Sequence, residues 1–296
     1  MGIAFYGTVC YHNHSTQAPL LIDYHVHTRY CGHATGSMEQ YVERALELGL
    51  DELGFSGHFF YPKGYAFPVT DCVIPEELFG EYLKKAARLR KKYSGRLSVK
   101  IGAEFDYLGP GCSFHPIEVS RKLDLDFCIA SVHIVDNLVV DYTPELLSSG
   151  LESYEGGIDC LYERYYEALR QVAAPGYCNI VGHFDLIKKF KTFTGLAPHK
   201  DHNALIDKVL DLVAGGMTAI EINTAGWDKP CSEQYPALDI LERAVARGIR
   251  VTAGSDAHSP QEVGRHFDRL RSLFSHLGIK KLTRFEKLEP LPYDLS

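Results

Sequence analysis

The chain has 296 residues, of which 45% are hydrophobic and 23% charged, and a formal net charge of −7. This ordinary globular composition excludes a long disordered chain, and no run approaches the ~18 apolar residues of a membrane span. The acidic balance argues against a protein built around the nucleic-acid backbone, while 14 histidines stand out as an excess.

In chain order, residues 1–20 carry no Lys or Arg and read as an appendage, not a secretory signal. From residue 21 onward, short apolar runs alternate with longer amphipathic ones, and the whole reads as one domain, 21–296. Strands are predicted at 21–25, 52–57, 97–105, 125–132, 179–184, 218–223 and 250–254. They are β-branched or continuously apolar, as strands buried on both faces should be. Helices are predicted at 38–48, behind the N-cap Ser37, and at 75–93, 158–172, 203–214, 234–247 and 260–277. The last opens on Ser259-Pro260, an N-cap followed by proline at the first helical position. Residues 61–74 and 106–118 read as loops. Seven strands alternating with helices describe a parallel α/β sheet. A barrel-like (β/α)7 unit fits better than an open doubly wound sheet, because no G-x-G-x-x-G fingerprint is present. None of the 8 cysteines forms a C-x-x-C pair. Dispersed thiols suit a reducing compartment, and the expected location is the cytoplasm.

In such a barrel, chemistry sits at the C-terminal ends of the strands. Those ends carry His25, His27 and His33 after the first strand, His58 after the second and Glu104 on the third. His133 ends the fourth, His183 the fifth, and Asp256 and His258 follow the seventh. A lone histidine at a strand end is usually structural. Seven imidazoles and two carboxylates gathered at one barrel end are not explained that way, and they are too many for one ion. Alternation along a strand turns both imidazoles of an H-x-H to one side. Two or three divalent ions are expected, and imidazole with carboxylate fits Zn, Mn or Fe. Three such ions against two carboxylates leave roughly +4 locally, which favours an anionic substrate. His12, His14, His115, His199, His202, His266 and His276 lie away from strand ends and are expected to be loop or surface residues.

The segments DYHVHTRYCGHA, GFSGH, GAEFDY, ASVHIVD, VGHFDLIKKF, EINTAG and GSDAHSP resemble the polymerase-and-histidinol-phosphatase (PHP) superfamily, and more narrowly its histidinol-phosphatase branch. The resemblance runs from about residue 21 to about residue 274. It implies a distorted, TIM-like (β/α)7 barrel with a trinuclear centre. His25, His27, Glu104 and Asp256 would hold one ion, Glu104 would bridge to a second completed by His133 and His183, and His33, His58 and His258 would hold the third. Glu104, Asp256 and His258 would also be catalytic. Gly57 departs from the pattern, standing where an acidic residue is expected before His58. Cys31 could compete as a ligand.

The expected activity is metal-dependent hydrolysis of a small phosphomonoester, L-histidinol phosphate. Arg29 and Lys188 are candidate phosphate grips, and Glu221 and Asn223 candidate partners for the substrate's amine or imidazole. A PHP-type nuclease, a PHP-type protein-tyrosine phosphatase and a metal-storage protein are the rival readings. Neither a nucleic-acid nor a membrane partner is expected, and homo-oligomerisation stays open.

Overall fold

Seven short runs, buried along nearly their whole length, form the strands of one parallel sheet, with helices over the outer face and opposing strands across the inner one. The computed structural model describes residues 21–65, 72–112 and 114–295; the expected appendage, 1–20, lies outside the described residues. In chain order the elements are β1 (Ile22–Val26), α1 (Met38–Glu47), β2 (Glu52–Phe55), α2 (Glu76–Lys92), β3 (Ser98–Asp106), α3 (Pro116–Lys122) and β4 (Phe127–Ser131). A hairpin of β5 (Ile134–Val135) and β6 (Leu138–Val139) follows, then α4 (Pro144–Leu151), α5 (Gly157–Val172) and β7 (Ile180–Val181). The chain ends with α6 (Asn203–Ala214), β8 (Ala219–Asn223), α7 (Leu238–Ala246), β9 (Arg250–Gly254), α8 (Phe267–Leu277) and the hairpin β10 (Lys281–Glu286) and β11 (Glu289–Asp294).

The sheet order is β1-β2-β3-β4-β7-β8-β9. It closes on itself where His27 N–H donates to the Ala257 carbonyl (2.9 Å) and Ala257 N–H to that of His25 (3.2 Å). The result is the expected (β/α)7 barrel. All seven predicted strands are present, and the boundaries move where local chemistry overrides pattern. The fifth shrinks to two residues because the His183 carbonyl accepts Leu186 N–H and turns the chain into a 3-10 turn. The predicted helix at 234–247 starts late because Tyr235 pairs in both directions with the main chain of Asn223, and Pro236 follows it. The helix predicted at 260–277 is split. Ser259 and Glu262 close a capping box over a short turn, and the left-handed Gly264 and His266 separate it from α8. The stretch 106–118, expected to be all loop, contains the start of α3, whose Pro116 sits at the first helical turn.

A bulge in β1 sets the inside of the barrel. The β1–β2 register shifts between Asp23 and Val26, so Tyr24 and His25 both turn inward although adjacent. Tyr24 packs edge-on against Phe127, 4.8 Å between centroids, in the lower layer. The Phe127 ring lies over Gly54 and Gly102, where an added Cβ would sit 2.8 and 2.6 Å from ring carbons; glycine is needed for that close approach. The β10–β11 hairpin plugs this lower end with Phe285, which is fully buried against Tyr24.

Candidate metal centre

His25 is the first inward residue above the bulge. Its Nδ1 donates to Glu221 Oε1 (2.7 Å), while its Nε2 lies 3.1 Å from Glu104 Oε2. Glu221 reaches it from β8 through a gap at Gly254, where an added Cβ would lie 1.9 Å from the carboxylate oxygen. The other Glu221 oxygen accepts the main-chain N–H of His183 (2.8 Å). Glu104 sits at the centre, fully buried. Its Oε1 accepts from Ser131 Oγ (2.6 Å) and lies 3.1 Å from His183 Nε2 and 3.7 Å from His133 Nε2. Its Oε2 faces His25, His58 (3.3 Å) and His27 (3.5 Å). One carboxylate thus addresses two groups of imidazoles, one with each oxygen. Asp256 follows β9 and places Oδ1 3.1 Å from His27 Nε2.

The protons on these imidazoles are fixed by their other partners. Nδ1 of His33 faces the Cys31 carbonyl (3.0 Å), that of His258 the Asp256 carbonyl (2.9 Å), and that of His133 the Asp106 carboxylate (2.8 Å). Carbonyl oxygens only accept, so in His33 and His258 Nδ1 carries the hydrogen and Nε2 keeps its lone pair. Yet His33 and His258 bring their Nε2 atoms within 2.9 Å, and His133 and His183 theirs within 3.1 Å. The two lone pairs of His33 and His258 set against each other, and the paired rings of His133 and His183 beside the buried Glu104, form environments that a cation satisfies. The donor set therefore fits divalent transition ions.

Titration tells the same story in two halves. Burial, joined by the His258 and His58 imidazoles, holds His27 well below the usual histidine range. Burial pushes His258 down to about 4 and lowers His33 as well. Burial also opposes charge on His133, but Asp106 overrides it and lifts the group to about 10. At His25, Glu221 and Glu104 likewise outweigh burial and raise it strongly. At His58, Glu104 and Asp106 do the same. The first set offers neutral donors, and the second offers carboxylates whose counter-charge a metal ion would supply in place of protons.

The structure therefore gathers all nine sequence-predicted ligands, His25, His27, His33, His58, Glu104, His133, His183, Asp256 and His258, into one cluster. Asp106 joins them and was not singled out from sequence. Its carboxylate also lies 3.2 Å from His58 Nδ1. The signal was available: Glu104 and Asp106 alternate on β3 and so share a face. Asp106 also answers the departure at Gly57. A Cβ there would meet Ile74 at 2.8 Å and Cys31 Sγ at 3.0 Å, so the carboxylate beside His58 comes from β3 instead. Cys31 is buried on the Nδ1 side of His27, 3.9 Å away, and burial pushes its thiol up to about 12. It sits on the opposite edge of the His27 ring from the Nε2 that faces Glu104 and Asp256.

None of the four candidate substrate-binding residues lines the cavity above the cluster. Lys188 is buried, donates to the Gln234 carbonyl (2.8 Å) and pairs with Asp185 (2.9 Å), so its ammonium is held away from the site. Arg29 is exposed, with its guanidinium 5.8 Å from the Tyr30 ring centroid, and does not line the cavity. Glu221 orients His25 and the His183 main chain and has no free face for substrate. Asn223 Nδ2 donates to Glu221 (3.2 Å) and its Oδ1 accepts Ala225 N–H (3.0 Å), which makes it a brace within the same network. The lysines that do line the cavity are Lys189 and Lys229.

Among the histidines set aside, His12 and His14 lie outside the described residues. His276 is exposed on α8, His199 is exposed, His266 pairs with Asp228 (2.7 Å), and His115 packs on Tyr177. His202, expected to be solvated, is buried against Tyr162, because the start of α6 packs on α5. Above the cluster opens a cavity of about 350 Å³, bounded by Tyr61, Asp141, Tyr142, Lys189, Lys229 and Tyr235. That volume suits a small molecule.

The comparisons agree with this architecture. The PHP domain family matches residues 23–225, and the PHP-associated family residues 240–269. A Deinococcus radiodurans protein named "Probable histidinol-phosphatase" is 36% identical over 272 residues, 91% of this chain and 99% of its own length. The histidinol-phosphatase of Bacillus subtilis is 28% identical over 263 residues, 83% of this chain and 96% of its own. A solved Lactococcus lactis histidinol phosphate phosphatase, in complex with Zn, L-histidinol and phosphate, has the same fold. Its TM-score is 0.70 at 23% identity, and the match covers 92% of this chain and 98% of that one. On the family match over most of its length and the relative aligned along nearly all of it, this chain belongs to the PHP domain family.

Proposed function

We propose that this chain is a metal-dependent histidinol-phosphatase, hydrolysing L-histidinol phosphate to L-histidinol and phosphate in histidine biosynthesis. One observation carries the metal requirement: paired imidazole Nε2 atoms converge around a buried, two-faced carboxylate at the floor of a small-molecule cavity. The substrate rests on relatives of that name, aligned along almost their entire length.

His25, His27, Glu104 and Asp256 would hold one ion, Glu104, His133 and His183 a second, and His33, His58 and His258 a third, with Zn, Mn or Fe suited to these donors. Bound there, such ions supply Lewis acidity toward phosphoryl oxygens and a nucleophile at neutral pH. The chain's own residues set the geometry. Glu104 fixes the spacing of the two imidazole groups through its two oxygens. Asp106 locks the rings of His58 and His133, and Glu221 locks His25 and the His183 main chain, so little reorganisation is needed when the reaction develops charge. Lys229 lines the cavity and makes no ion pair among the described residues. It adds positive charge at the mouth for a phosphate dianion. No described helix is long and apolar enough to cross a membrane. Cys31, Cys112, Cys128, Cys160, Cys178 and Cys231 are free thiols, which supports assigning the activity to the cytoplasm.

The test is a panel of phosphomonoesters assayed with bound metal measured in parallel. Histidinol phosphate should show a kcat/KM far above that of p-nitrophenyl phosphate. Equal turnover of the two would overturn the substrate assignment and leave only the phosphoesterase class.

A further inference from the structure

The proposed substrate carries a phosphate at one end and cationic nitrogen at the other. A metal cluster grips any phosphate dianion, so selection among monoesters must come from a group that reads the rest of the molecule. Glu221 is spent on His25 and His183. Four carboxylates line the cavity: Glu104, Asp106, Asp141 and Asp256. Glu104 and Asp256 sit among the imidazole Nε2 atoms, and Asp106 is held by His58 and His133. Among the described residues, Asp141 is the one cavity carboxylate within ion-pairing distance of no imidazole; its pairing is a long one, 3.5 Å, to Lys189.

The fold places Asp141 for this task. Val140 N–H donates to the His133 carbonyl (2.9 Å), so the residue after it is registered directly to the metal-binding strand end. Lys189 Nζ donates to the Asp141 main-chain carbonyl (2.5 Å), which pins the loop from the other side. The same Lys189 Nζ also donates a long hydrogen bond to Asp141 Oδ2 (3.5 Å). Oδ1 has no partner among the described residues, and the side chain, 22% exposed, belongs to the cavity lining.

Resting on the histidinol-phosphatase reading, we infer that Asp141 is the specificity-determining residue that receives the substrate's ammonium group. A charge-assisted hydrogen bond of this kind discriminates against substrates that lack the cation.

The test compares wild type with Asp141→Asn on histidinol phosphate and p-nitrophenyl phosphate, each preparation checked for bound metal and melting temperature. The amide keeps the shape and leaves the main-chain contacts of Val140 and Lys189 in place. The ratio of kcat/KM for histidinol phosphate over the aryl phosphate should fall by about ten- to a hundredfold, the range expected for one lost hydrogen bond to a charged group. The fall should appear in KM for histidinol phosphate, and the inhibition constant of L-histidinol should rise in step. An unchanged ratio, whether both activities hold or both drop together, would overturn the assignment of Asp141 while leaving the substrate reading intact. If wild type itself fails to prefer histidinol phosphate, the substrate reading is wrong and this inference falls with it.

Discussion

Both ends of the barrel interior bury carboxylates, and the two behave in opposite ways. At the lower end every charge has a protein partner. Glu52 accepts from Tyr24 Oη (2.5 Å) and Arg284 (3.2 Å), with Lys100 at 3.9 Å. Asp126 is paired with Arg90 and accepts Ile101 N–H (2.8 Å). The hairpin then seals this layer with Phe285, whose own N–H donates to Tyr24 Oη (2.9 Å). At the upper end carboxylates and imidazoles crowd together, with the Nε2 atoms of His33 and His258 only 2.9 Å apart, and a cavity stands open above them. A satisfied buried network stabilises and specifies structure, whereas one left short of a cation is a site. One bulge in β1 separates them, turning Tyr24 to the first and His25 to the second.

The comparison can be broken at either end. The largest effect should come from Glu104→Gln. It removes the charge that both imidazole groups share, and should cost about a thousandfold or more in turnover, with bound metal reduced. Retained metal and near-normal turnover would show that the centre does not depend on this carboxylate. At the opposite end, Phe285→Ala should lower stability by about 3–5 kcal/mol by emptying a fully buried ring site. Denaturant titration measures that loss, and kcat/KM per folded molecule should hold. A specific loss of activity without loss of stability would merge the two ends into one functional unit. Asp106→Asn should be milder, about ten- to a hundredfold in metal affinity or activity, since it loosens the rings of His58 and His133 without removing a ligand. An effect as large as that of Glu104→Gln would make Asp106 a ligand in its own right. The smallest change should be His276→Ala on exposed α8, within about 0.5 kcal/mol in stability and silent in turnover.

Much of this was legible in the sequence because it is periodic. Continuous apolar runs gave the seven strands, and the position of each histidine after such a run placed it at one barrel end. What the sequence hid was direction. Nothing in the run IDYHVH announces a bulge, although the bulge puts Tyr24 and His25 on one side. Glu221 sits on a buried strand like any ligand candidate. Only the missing Cβ of Gly254, on the neighbouring strand, reveals that its carboxylate passes through to His25. Lys188 and Lys189 are adjacent and indistinguishable by composition; the turn after His183 aims the first at Asp185 and the second at the cavity. The β5–β6 and β10–β11 hairpins were unassigned because two-residue strands and a polar, proline-bearing edge carry little periodic signal. The sequence likewise gave no warning that the second hairpin closes the lower end.

The account's central claim is that the upper cluster acts only as a metal centre. The most direct measurement is histidinol phosphate turnover against bound metal, counted per chain on the same samples, as a chelator strips the protein. Turnover should fall to background as metal is lost and return when Mn or Zn is restored, while the folded fraction stays constant. Full turnover by protein verified to be metal-free would contradict it.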